Sequence, residues 1–173
     1  MLNFTIHTTT EVVFGRGIEE QIGPKLKEIG AHRVLVHFGG ASARSSGLLD
    51  RVEQSLFHAG LSFIELGGVE PNPKVSMVRK GIALCQREGI DFILAVGGGS
   101  VIDSAKGIGM GVATGRDPWE FASTGTAPDQ TLPVGTVLTL ADLSMDTAAQ
   151  KVTRAGKAIA LTGREYALLE YLM

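Results

Sequence analysis

The sequence predicts an α/β fold: a parallel sheet with helices on both faces, then a C-terminal β-meander and one helix. Three observations carry this. Apolar runs of strand length alternate with segments of helical periodicity over residues 1–140. Those runs are almost continuously apolar, as strands covered on both faces must be. After Leu140 the texture changes to short polar–apolar alternation.

In chain order, Thr10 to Gly15 is a short β-like run. Ile18 to Ile29 spaces Ile18, Ile22, Leu26 and Ile29 at helical intervals, and Gly30 ends it. Arg33 to Phe38 is a buried strand broken by Gly39-Gly40. Ser46 to Ala59 is a helix with Leu48, Leu49, Val52 and Leu56 inward. Leu61 to Leu66 is a strand, and the two prolines of Val69-Glu70-Pro71-Asn72-Pro73 exclude a helix after it. Val75 to Glu88 is a helix ending at Gly89, Ile90 to Val96 a strand, Ser100 to Ala113 a helix and Leu132 to Leu140 a strand-like run. Three short strands follow over Asp142–Met145, Lys151–Arg154 and Lys157–Leu161. Thr162 to Met173 is an amphipathic helix opened by a capping box, Thr162 with Glu165. Two domains are therefore expected, over 1–140 and 141–173. The 23 glycines read as strand-end punctuation.

Composition narrows the function. Hydrophobic residues make up 44 % and charged residues 20 % of the 173, enough for a real core. A net charge of −2 offers no electrostatic footprint for nucleic acid or an acidic membrane. The single Cys85 excludes an internal disulfide and fits a reducing compartment. The opening MLNFTIHTTT lacks the features of a signal peptide, and no run approaches the roughly 18 apolar residues of a membrane span. A cytoplasmic setting is expected.

Two glycine loops carry the candidate chemistry. Gly97-Gly98-Gly99-Ser100 lies between a strand and a helix. Glycines let backbone N–H groups approach an anion, and the helix start adds unpaired donors and a positive dipole end. Ser100 could cap the helix or donate to a phosphate, and Asp103 lies one turn in. A tight βα turn with a serine cap would produce the same wording. The second loop, Gly39-Gly40-Ala41-Ser42-Ala43-Arg44-Ser45, also follows a buried strand. In a dinucleotide site an acid here would select the ribose 2′-hydroxyl, yet none appears before Asp50. Small residues, hydroxyls and Arg44 suit a 2′-phosphate, hence NADP. A solvated loop with an exposed arginine is the alternative.

Together, VLVHFGGASARSSG, GGVEPNP, FILAVGGGSVIDSAKGIG, DPW and LPVGTVLTL resemble the iron-containing alcohol dehydrogenase family, nearest its NADP-linked butanol dehydrogenase and aldehyde reductase branch. The resemblance covers residues 1–140. It implies a Rossmann-like nucleotide-binding domain: Gly39, Gly40 and Ser42 facing the adenosine ribose, Asn72 on the nucleotide, and Gly97, Gly98, Gly99, Ser100, Val101 and Asp103 at the pyrophosphate. Thr139 and Leu140 would touch the cofactor. The family's helical domain, with one Asp and three His ligands for iron or zinc, has no match. The four histidines, His7, His32, His37 and His58, all lie in the first third without ligand spacing. His37, within a strand, is expected to be packed. No catalytic or metal-binding residue is therefore assigned.

The tail ADLSMDTAAQKVTRAGKAIALTGREYALLEYLM resembles the start of the winged-helix DNA-binding domain of response regulators, with Val137 to Leu140 as a seam shared by both wordings. In that family DNA is read by a later helix and a wing, neither of which follows here. The tail's four basic residues, Lys151, Arg154, Lys157 and Arg164, balance Asp142, Asp146, Glu165 and Glu170, so no nucleic-acid partner is expected. Tyr166, Leu168, Leu169 and Leu172 are expected to pack on the α/β unit, in cis or swapped with a second chain as a homo-oligomer. The reading is a chimera whose first part binds NADP(H) without turnover. Its rivals are a structural chimera with no retained activity and a DNA-binding regulator fragment.

Overall fold

The computed structural model describes residues 11, 13, 17–137, 143–146, 151–154 and 157–159; residues 41 and 42 and the last three ranges are described by backbone alone. The chain divides into two compact units, Met1–Leu138 and Thr139–Met173.

In the first unit, four strands form a parallel sheet: β1 (Arg33–Phe38), β2 (Ser62–Leu66), β3 (Phe92–Val96) and β4 (Val134–Val137), in the order β2-β1-β3-β4. Alternate β1 side chains point to opposite faces. Val34, Val36 and Phe38 meet Leu26 of α1 (Ile22–Glu28) and Leu49, Val52 and Leu56 of α3 (Leu48–His58). Leu35 meets Val78 and Cys85 of α4 (Val75–Glu88) and Ala105 and Ile108 of α5 (Gly99–Thr114). The two apolar layers confirm an α/β sheet covered on both faces.

Six predicted elements of the first unit stand within two residues of their expected bounds: β1, α3, β2, α4, β3 and α5. The first helix begins instead as a 3₁₀ turn, Ile18–Gln21, continued by α1. Two helices were not predicted. The five-residue α2 (Ala41–Ser45) is too short for periodicity to register. The seven-residue α6 (Pro118–Thr124) had a readable signal, since Pro118 opens it and the Asp117 carboxylate accepts from the Trp119 N–H at 2.9 Å.

Glycine is not only strand-end punctuation. A Cβ on Gly81 of α4 would lie 2.3 Å from Ile108 Cδ1, and one on Gly111 of α5 would lie 2.2 Å from Ile82 Cδ1. These glycines are the hollows into which α4 and α5 interlock. Cys85 lies between the same layers, and burial pushes its thiol up to about 12, which makes it inert.

In the second unit β5 (Leu143–Asp146), β6 (Lys151–Arg154) and β7 (Lys157–Ile159) form an antiparallel sheet in sequence order, the expected meander. The predicted helix over 162–173, most of the run over 10–15, and Thr139 and Leu140 lie outside the described residues. No helix among the described residues is long and apolar enough to cross a membrane.

Candidate functional site: a crevice between two glycine loops

The strand order places the site. From β1 the chain moves outward to β2, then crosses back past β1 to β3. The direction reverses between β1 and β3, so a crevice opens beyond their carboxyl ends, where open α/β sheets hold their ligands. Gly39-Gly40 follow β1 and Gly97-Gly98-Gly99 follow β3, and the crevice therefore has a glycine loop on each side.

The β3 loop is tied to the sheet by Gly97 N–H donating to the Val137 carbonyl at 3.1 Å. Gly97 has φ +145°, and an added Cβ would stand 2.9 Å from Val101 Cγ2. Gly98 and Gly99 are exposed, with nothing within 4 Å of where their Cβ atoms would stand. Gly98 is the N-cap of α5, and no side chain caps the helix. Ser100 is therefore the second helical residue and not the N-cap, which was one of the two roles its position allowed. A 16-residue helix with an uncapped start facing open space can take an anion. Asp103 is exposed on the same helix. Val101, a predicted cofactor contact, is buried, and its N–H is spent on the Gly98 carbonyl at 3.0 Å. Its side chain forms the floor between the loops, 3.7 Å from a Cβ position on Gly39.

The β1 loop is held by the segment after β2. Gly68 N–H donates to the Gly39 carbonyl at 2.9 Å, and Val69 N–H to the Phe38 carbonyl at 3.3 Å. That segment also lines a cavity of about 320 Å³ with Glu70, Lys74, Met77 and Lys80. Asn72, exposed between its prolines, takes the left-handed conformation at φ 58°, which Asn tolerates better than most residues. Ser42 lies in α2, described by its backbone.

Arg44 stands differently from its sequence reading. Its guanidinium is ion-paired with Glu65 of β2 and lies 5.4 Å from the centre of the Phe38 ring. The absence of an acid before Asp50 holds along the chain but not in space: the parallel pairing sets Glu65 beside Val36, two residues short of the end of β1. Glu53 of α3 joins the cluster. Burial and then the charge of Glu65 push its carboxyl up, against the pull of Arg44, and its Oε1 has no hydrogen-bond partner.

His37 is packed, as its strand position predicts. It is fully buried, with Nδ1 2.8 Å from the Leu66 carbonyl and Nε2 2.8 Å from Ser104 Oγ. A carbonyl only accepts, so Nδ1 carries the proton and the Ser104 hydroxyl donates to Nε2. Burial lowers the His37 pKa, and the bond to Leu66 opposes it in part. This bridge fastens β1, the end of β2 and the first turns of α5 together beneath the crevice. His32 is exposed beside Asp91, and His58 packs edge-on to Phe57. Among the described residues no three His, Cys, Asp or Glu side chains converge as metal ligands. The described residues thus do not fit a resident iron or zinc, and His7 lies outside them.

The model of the family "iron-containing alcohol dehydrogenase" matches residues 9–167, which carries it past Leu140 and through the meander. The probable NADH-dependent butanol dehydrogenase 1 of Bacillus subtilis is 49 % identical over 141 residues, covering 82 % of this chain and 36 % of that protein. The NADPH-dependent aldehyde reductase YqhD of Escherichia coli is 37 % identical over 147 residues, covering 81 % and 36 %. The crystal structure of NADH-dependent butanol dehydrogenase A from Thermotoga maritima superposes with a TM-score of 0.77 at 38 % identity, covering 79 % of this chain and 34 % of that one. This chain spans just over a third of the length of the curated relatives it matches. A switch-point crevice flanked by glycine loops, with these matches across most of the residues, identifies the chain as a member of the iron-containing alcohol dehydrogenase family.

Proposed function

We propose that this chain binds a nicotinamide dinucleotide in the crevice between its two glycine loops. The observation that carries the reading is the uncapped start of α5 beside the exposed Gly98 and Gly99. A pyrophosphate there would be met by backbone N–H donors and the positive end of the helix dipole, with no Cβ in the way. Gly39, Gly40, Ser42 and Asn72 would lie on the adenosine side, and Thr139 and Leu140 are kept as cofactor contacts on the resemblance alone. The cofactor supplies a hydride donor or acceptor, and the relatives' names point to an alcohol and its aldehyde as the exchange partners. The described residues would bind and orient; none of them is assigned to polarise a carbonyl, since His37 is spent on Leu66 and Ser104 and no three described ligands converge on a metal. Binding without turnover by this chain alone is the corresponding proposal.

The NADP(H) preference read from residues 39–45 requires Arg44 to be available to a 2′-phosphate, and Arg44 is shared with Glu65. For residues 141–173 we propose a packing role rather than DNA contact, supported by their balanced charge.

Titration calorimetry with NADH and NADPH tests the reading. Saturable binding of either is expected. Absence of binding by both, in a chain that melts cooperatively, overturns it.

A further inference from the structure

We infer that Glu65 sets the choice between NADH and NADPH by holding Arg44, and that with this pair intact the chain does not favour the 2′-phosphate. The inference rests on the dinucleotide reading above and deepens it.

Arg44 is the one cation that residues 39–45 supply beside the crevice. A 2′-phosphate is bound through charge-assisted hydrogen bonds, which need a guanidinium with free donors and uncompensated charge. Arg44 has neither in full. Glu65 takes its Nη2 and cancels its charge, and its Cζ lies 5.4 Å from the centre of the Phe38 ring at the end of β1. Glu53 stands behind Glu65 and further lowers the local potential whenever it is ionised. The sum over Arg44, Glu65 and Glu53 is zero or negative in either state of Glu53. A ribose 2′-hydroxyl is indifferent to that sum, whereas a phosphate dianion is repelled by it. Glu65 lies on β2, so it reaches Arg44 through the sheet and acts on the cofactor only through the arginine. It is a positioning residue.

The decisive readout is the ratio of NADPH to NADH affinity, which a merely structural role would leave alone. Glu65→Gln keeps the side-chain volume and removes the charge. In the unsubstituted chain NADH is expected to bind at least as tightly as NADPH. E65Q should raise the NADPH-to-NADH ratio about tenfold, the worth of one released charge-assisted contact. The double variant R44A/E65Q should return the ratio to its starting value, since the gain depends on Arg44. Glu65→Ala serves as a second single variant and should move the ratio in the same direction. An unchanged ratio in both single variants, with both dinucleotides still bound, overturns the inference alone. A gain that persists in R44A/E65Q also overturns it. Failure of the unsubstituted chain to bind either dinucleotide overturns the dinucleotide reading and this inference together.

Discussion

The two glycine loops sit side by side at the carboxyl ends of β1 and β3, yet they are built in opposite ways. The β3 loop runs into a 16-residue helix whose start is open and uncapped. What it offers an anion is chiefly its own backbone, from Gly97 to the first turn of α5, with the Ser100 hydroxyl on that same turn. The β1 loop runs into a helix of five residues, and what it offers depends on side chains brought from elsewhere. Arg44 is met by Glu65 from the neighbouring strand, with Glu53 of α3 behind it. A loop made of backbone has a fixed chemical character, whereas a loop made of a paired side chain can change its preference by one substitution.

Substitutions should separate the two loops, first by stability. Gly97→Val in the β3 loop should have the largest effect. Its φ of +145° suits glycine, and the Cβ would press on Val101 Cγ2. A loss of about 2–4 kcal/mol in unfolding free energy is expected, together with loss of dinucleotide binding. A variant with unaltered denaturant midpoint and affinity would show that the loop is not held in this shape.

The bridge beneath both loops comes next. Ser104→Ala removes the donor to His37 Nε2 and should cost about 1–2 kcal/mol. The same bridge gives a pH signature. The His37 pKa is lowered in the folded chain, so the unfolded chain takes up the proton first. Its contribution to stability is complete above about pH 6.5 and is lost as pH falls from there through the folded value. Replacing His37 with Gln should flatten that part of the curve. Urea midpoints measured from pH 7.5 to 5 check this, and an equal slope in both chains would remove His37 as the cause.

Arg44→Ala in the β1 loop should cost less than about 1 kcal/mol, since its ion pair is half exposed and its ring contact is weak. A larger loss would mean that Arg44 is structural and would blur the contrast between the loops. Gly99→Asp should have the smallest effect on stability, within about 0.5 kcal/mol, because its Cβ meets open space and a carboxylate suits a helix start. Dinucleotide affinity should nevertheless fall more than about tenfold, since the new charge would face the phosphates. Retained affinity would show that the anion does not sit there.

The sequence by itself determined the alternating framework and the β3 loop. Strand runs such as Arg33–Phe38 and Phe92–Val96, and the helix Val75–Glu88, are legible because periodicity and glycine punctuation are local. A glycine loop before a helix is local as well, since donors and dipole belong to one continuous stretch. The role of Gly81 and Gly111 was not legible, because a hollow has meaning only once α4 lies against α5. Neither was the true start of α5 at Gly99, which moved Ser100 off the cap. Only the tertiary structure decided the state of Arg44. Between Arg44 and Glu65 lie α3 and a turn, and it is the parallel pairing of β2 with β1 that closes the gap. Charge is counted along a sequence but acts through space, so an arginine that looks free in residues 39–45 is a paired one in the folded chain.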